Sequence, residues 1–156
     1  MSPVNIRRVK KSDTQFILDL LPSLSDPELP HWRDPEMMLE IDQRILKSEI
    51  EEEDNDNAIF IVEDADNQQQ LGFIFLEIGT DYYHREPHGH IADIIVSPEA
   101  RGRGIGKMLM EKAETWTKEN GYNLLTLNVF NDNKKARKFY SALGFTPDLT
   151  KYGKPL

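Results

Sequence analysis

Residues 94–106, Ile-Ile-Val-Ser-Pro-Glu-Ala-Arg-Gly-Arg-Gly-Ile-Gly, constrain this chain more than any other stretch. A short β-branched run enters a tight turn. Glycines follow at alternate positions (Gly102, Gly104, Gly106), and an amphipathic helical pattern then begins. That order places backbone N–H groups at a helix N-terminus with no side chains in front of them. A helix start carries unpaired donors and partial positive charge, which suits a diphosphate. Arg101, Arg103 and Lys107 add mobile cations at the same place. The plainer alternative is a strand-to-helix turn that binds nothing.

Two familiar phosphate loops do not fit. A P-loop needs a hydroxyl residue after Gly-Lys, and Gly106-Lys107 is followed by Met108. A dinucleotide fingerprint needs a third glycine at a spacing this chain lacks, and an acidic residue ending the next strand. Here the next apolar run ends in Asn128-Val129-Phe130.

The 156 residues are expected to form one domain, long enough for a substantial core. Nineteen basic against 27 acidic residues give a net charge of −8, with no basic stripe to follow a nucleic-acid backbone. An acidic surface aids solubility and mildly favours a cationic substrate. The chain has no cysteine, which removes disulfides, thiolate metal sites and a cysteine nucleophile. A cytoplasmic location is the expectation from cysteine usage and from the lack of a signal-like or membrane-length apolar run.

Val4 and Ile6 mark a first strand at 3–9. Ser12 and Gln15 read as a capping box before a stripe of Ile17, Leu20, Leu21 and Leu24. After a proline-rich loop at 22–35, a second helix at 36–53 carries Met38, Ile41 and Ile45 on one face. Its acidic end, Glu49 to Asp56, reads as a solvated helix end rather than a calcium loop. Residues 58–62 and 71–78 form a hairpin pattern, and 90–96 the next strand. Ile105 to Trp116 hold helical period until Gly121, and 124–129 return to strand. Asn133 caps a helix carrying Ala136, Phe139, Tyr140 and Leu143, and 145–156 is expected to be a last strand or hairpin arm. The order is β-α-α-β-β-β-α-β-α-β, an α/β chain with a mixed sheet and helices on both faces.

Arg101-x-x-Gly104-x-Gly106 after a strand ending in Val96 resembles the acyl-CoA signature of the GNAT superfamily of N-acetyltransferases. Asn133-x-x-Ala136-x-x-x-Tyr140 followed by Leu143-Gly144-Phe145 is similar to that family's downstream motif. The two motifs occupy residues 90–147 in the right order. The resemblance implies a sheet splayed between the fourth and fifth strands, with acetyl-CoA in the gap as acyl donor; no metal is expected, because a His88–His90 pair has no third ligand at useful spacing. The coenzyme's pantetheine would pair with backbone at Ile94, Ile95 and Val96. Its pyrophosphate would sit on the amides of Arg101, Gly102, Arg103, Gly104, Ile105, Gly106 and Lys107. Asn133 would bond the amide region and Ala136 would leave room for the thiol arm. Lys134, Lys135 and Lys138 reach outer phosphates or simply face solvent.

Acetyl transfer to a primary amine needs a base for the ammonium, donors for the oxyanion and an acid for the thiolate. Without a cysteine, direct attack in a ternary complex is expected. Tyr140 matches the position where the family commonly uses a tyrosine acid; a core aromatic is the plain alternative. His90 is the expected base, at a place where several family members put Glu or His. By strand alternation His88 shares its face and Asp93 lies on the other. The resemblance implies a bulge that would reverse this parity and bring Asp93 forward. Two other readings stay open: a non-catalytic acyl-CoA sensor and an anion-binding interaction module. The acceptor, a small-molecule or protein amine, is not legible, nor is a homodimer. His31, Trp32, Tyr82, Tyr83 and His84 are candidates to line its site.

Overall fold

The computed structural model describes residues 2–25, 28–52, 55–83 and 85–156. Five strands form one sheet in the order β1 (Val4–Arg8), β2 (Ala58–Asp64), β3 (Gln70–Thr80), β4 (Pro87–Val96), β5 (Leu125–Leu127). The first four run antiparallel to their neighbours and β5 pairs with β4 in parallel. Helices α1 (Thr14–Leu20) and α2 (Pro35–Glu51) follow β1, while α3 (Ile105–Glu119) links β4 to β5 and α4 (Lys134–Ala142) follows β5. A parallel β4–β5 pair requires such a crossover. Among the described residues no helix is long and apolar enough to cross a membrane.

Strand alternation splits the core in two. Phe60, Val62, Ile74, Leu76 and Ile91 meet Ile105, Leu109, Ala113 and Trp116 of α3. Ile59, Ile61, Phe73, Phe75 and Ile95 meet Ile17, Leu20 and Leu21 from the first helix and the turn after it, with Leu46 and Ile50 of α2. Behind this second layer, Arg7 holds Asp13 at 2.8 Å and Glu63 at 2.7 Å. Asp13 also accepts from the Lys10 amide at 2.7 Å and from Gln70. It is Asp13, not the expected Ser12–Gln15 pair, that organises the entry to α1. Gln15 instead bonds Asp19 one turn on.

Helix α2 turns differently from the expected stripe. Ile41 and Ile45 are 40% and 42% exposed, whereas Leu46 and Ile50 are buried and Leu39 packs against their cluster. The sheet-facing stripe is therefore Leu39, Asp42, Leu46, Glu49 and Ile50, with two carboxylates among the apolar residues. The helix begins at Pro35, where the Asp34 side chain accepts from Glu36 and Met37. It ends at Glu51, so the expected boundary at Glu53 lies outside the described residues.

The expected final strand is absent: residues 145–156 carry no regular structure. Two prolines remove donors there, and Leu149 and Tyr152 stay 80% and 91% exposed with no apolar face to bury. The tail instead lays Gly153 against the Trp32 ring, so close that a Cβ would come within 2.9 Å of it.

Candidate active site

The β4–β5 pairing is brief. Gly89, His90 and Ile91 pair with Leu125, Thr126 and Leu127, and there the ladder stops. Ile94, Ile95 and Val96 continue to pair with Ile74, Phe73 and Gly72 on β3. Toward β5 their backbone has no strand partner, so the sheet opens on that side as expected. Side chains of Ile94 and Val96 pack toward α3, and that of Ile95 toward α1 and α2. Only the main chain of this trio is left for a ligand in the gap.

The glycine turn leads straight from this opening. Gly102 and Gly104 have φ of 77° and 76°, the left-handed region that side chains disfavour. A Cβ at either would meet nothing within 4 Å. Gly104 caps α3 without any side-chain acceptor, and Met108 makes the first helical bond to its carbonyl at 3.1 Å. The amides of Ile105, Gly106 and Lys107 thus lack helical acceptors. Open space over bare donors fits a diphosphate. Gly106 differs from the other two: its backbone is ordinary, and a Cβ there would lie 3.5 Å from Phe139.

Arg103 does not behave as a mobile cation. Its guanidinium is directed to Asp64 at 3.8 Å, tying the turn to β2. Its amide remains in the loop. The Arg101 side chain is exposed, and the Lys107 ammonium lies exposed 4.0 Å from Glu111.

Asn133 caps α4 as expected, its Oδ1 accepting from Ala136 at 3.1 Å. This leaves its amide N–H2 uncommitted among the described residues. Tyr140, half-buried, packs against Phe139 and Phe145 with ring centroids 5.4 and 6.1 Å away. No hydrogen bond engages its hydroxyl among the described residues, and burial raises its pKa above the ordinary phenol value. A protonated, uncommitted O–H at neutral pH follows.

The bulge is present. Asp93 pairs with Phe75 and Ile91 with Leu76, so Ala92 is the extra residue. Its consequence is that Asp93, opposite Phe75, and His90, opposite Glu77, both face the α1/α2 layer. The parity read from simple alternation is thereby reversed. His90 Nδ1 shares a hydrogen bond with Thr126 Oγ1 at 2.7 Å. Burial first, and neighbouring His88 second, lower its pKa, so the imidazole is neutral at pH 7. Asp93 is pushed up to about 7, first by burial and then by the Asp42 and Glu77 carboxylates. Burial also raises Asp42, and burial with the nearby Glu49 raises Glu77.

Sequence reasoning missed Asp42, Glu77 and Thr126. Thr126 was legible only once the β4–β5 register was known. Tyr82 and Tyr83 are 80% and 78% exposed and stack edge-on against each other, while His84 lies outside the described residues. His31 packs edge-on against Trp32. Among the described residues no group of three metal-ligating side chains converges.

Comparison with known proteins agrees with this geometry. The chain is 32% identical over 74 residues to an uncharacterized N-acetyltransferase, YhdJ, of Bacillus subtilis, covering 47% of this chain and 52% of that protein. The chain spans about half or less of the length of the first curated relatives it matches. Another uncharacterized N-acetyltransferase of Bacillus subtilis, YhfO, is 28% identical over 93% of this chain and 91% of its own. Among solved structures, a provisionally named acetyl transferase from Pyrococcus furiosus superposes with TM-score 0.78 at 27% identity, over 99% of this chain and all of that one. The family model for the acetyltransferase (GNAT) family matches residues 18–145. With a bulged fourth strand, a sheet that opens beside it and a bare helix start at the opening, the chain belongs to the GNAT acetyltransferase family.

Proposed function

We propose that the protein transfers an acetyl group from acetyl-CoA to a primary amine by direct attack in a ternary complex. The observation that carries this reading is the continuity of the unpaired Ile94–Val96 backbone with the uncapped start of α3. One surface thereby offers main-chain partners to an extended amide arm and donors to a diphosphate. The amides of Arg101–Lys107 would hold the phosphates, and Asn133 and Ala136 would flank the arm. Bound there, the coenzyme supplies an activated acetyl carbonyl.

The chain's own residues would do the rest. Asp93 takes the proton of the acceptor ammonium. With a pKa near 7 it is a stronger base than His90, whose imidazole is depressed. His90, fixed by Thr126, positions the acceptor beside it. Backbone N–H groups at the opening of β4 stabilise negative charge on the carbonyl oxygen. Tyr140 gives its proton to the departing sulfur.

Thiol release tests the reading. Incubated with acetyl-CoA and a panel of primary amines, the protein should release free thiol with at least one of them. If acetyl-CoA binds but no amine elicits thiol, the chain is a sensor. If ATP or inorganic phosphate binds as tightly as acetyl-CoA, it is an anion-binding module.

A further inference from the structure

Helix α2 carries two apolar faces, and the sheet covers only one of them. Leu46 and Ile50 are buried against the sheet, with Leu39 packed beside them. On the outer side, Met37, Ile41 and Ile45 follow one another at four-residue steps and are 59%, 40% and 42% exposed. Residues at that spacing form one row along a helix. A solvated helix face is ordinarily polar, so an outward apolar row is a surface built to be covered. Among the described residues nothing covers it, and none of the three joins either core cluster.

The charges beside the row identify what covers it. Along the helix, Glu36 and Glu40 come first, then Arg44 and Lys47, and all four side chains are exposed. At roughly 100° per residue, Glu40 and Arg44 lie one turn apart on the same flank of the row. Acid four residues before base suits a pair within the helix. Among the described residues no such ion pair forms, and both charges remain available.

We propose that a second copy of the chain docks on this face, the two α2 helices packing antiparallel about a two-fold axis at Ile41. The axis sets Ile41 against its counterpart and Met37 of one copy against Ile45 of the other, so the row covers itself. It also turns the acidic half of each helix toward the basic half of its partner. Glu40 of one copy then stands about 3 Å along the axis from the level of Arg44 of the other, and symmetry repeats the pair. Farther from the row, Glu36 comes level with Lys47 in the same way. A parallel pair would instead set acids level with acids and align the helix dipoles. Each copy carries a net charge of −8, so self-association needs this local complementarity against the overall repulsion. One helix face per copy is a small interface, and the dimer is reversible, with a dissociation constant on the order of 10 μM. The contact does not depend on the acetyl-transfer reading.

Sedimentation equilibrium of the full chain, over concentrations bracketing about 10 μM, should show monomer passing to dimer. Ile41→Glu, which sets two carboxylates against each other at the axis, should weaken the dimer at least about thirtyfold. Glu40→Arg and Arg44→Glu should each weaken it about tenfold, and the double variant Glu40→Arg, Arg44→Glu should return it to within about threefold of wild type. All three positions are exposed, and circular dichroism checks that each variant keeps the fold. Should Ile41→Glu fail to fold, the charge variants decide alone. A chain still monomeric at about 300 μM, or an Ile41→Glu protein that dimerises like wild type, would overturn the proposal. So would a double variant as weak as either single one, because that rescue requires Glu40 to face Arg44 of the other copy.

Discussion

His90 and Thr126 stand opposite each other on adjacent parallel strands, Nδ1 to Oγ1 2.7 Å apart, in the middle of the short stretch where β4 and β5 pair. One residue further, at Ile91–Leu127, the ladder ends and the sheet opens. The imidazole is therefore held at the lip of the opening, with Nε2 uncommitted among the described residues. Asp93 lies just beyond it, turned to the same face by the Ala92 bulge. This arrangement separates the two candidate bases experimentally.

Loss of Asp93 should remove the acid limb of the pH profile. The group is raised to about 7 by burial and by Asp42 and Glu77, so wild-type kcat/KM should climb as pH passes that value. Other titratable groups facing it are His90 and, one residue pair further, His88. Asp93→Asn should cost about a hundredfold in kcat/KM and flatten the limb, whereas His90→Gln should lower activity with the limb retained. A limb that vanishes only in His90→Gln would make the imidazole the base.

The same substitution should stabilise the fold. A carboxylate whose folded pKa is raised carries a penalty that is absent below its ordinary value and complete above about 7. Asp93→Asn should therefore gain roughly 1–2 kcal/mol at pH 8, after allowance for solvent screening, and little at pH 4. Chemical denaturation at the two pH values reads this directly.

Asp13 has the opposite sign. Burial alone would raise its carboxyl, but bonds from Arg7, the Lys10 amide and Gln70 win and hold it below the ordinary value. Its contribution is complete above that ordinary value and is lost as pH falls through the lowered one. Asp13→Asn leaves Arg7 short of a buried partner and should cost about 3 kcal/mol near neutrality, with a smaller loss in acid. An unchanged midpoint of unfolding at pH 7 would contradict this.

Tyr140→Phe should lower kcat by about a hundredfold while leaving the dissociation constant of acetyl-CoA within a factor of about two. The ring contacts to Phe139 and Phe145 survive this change, so the melting temperature should hold. A full loss of coenzyme binding would place the hydroxyl in binding rather than in proton transfer.

Legibility in the sequence followed locality. The turn at 101–106 and the Asn133 cap were readable because each is written within a few adjacent residues whose backbone demands are distinctive. Helix α2 was not, because its apolar residues suggest a stripe through Ile41 and Ile45, while tertiary packing selected Leu46 and Ile50 and carried Asp42 inward. The facing of Asp93 depended on one extra residue, Ala92, that no local pattern announces. Arg103 shows the same limit. Its charge suited a phosphate in sequence, but Asp64 arrives from β2, far away along the chain. The absent last strand reflects a tail whose apolar residues have nothing opposite them to cover.

Amide NMR during titration with acetyl-CoA tests the central claim most directly. The account predicts that the resonances of Gly102–Lys107 and Ile94–Val96 shift together and saturate at one concentration. Gly104→Glu, strained at its positive φ and carrying a carboxylate into the donor cluster, should abolish those shifts in a protein that remains folded. Shifts confined to other surfaces, or a Gly104→Glu protein that responds like wild type, would contradict it.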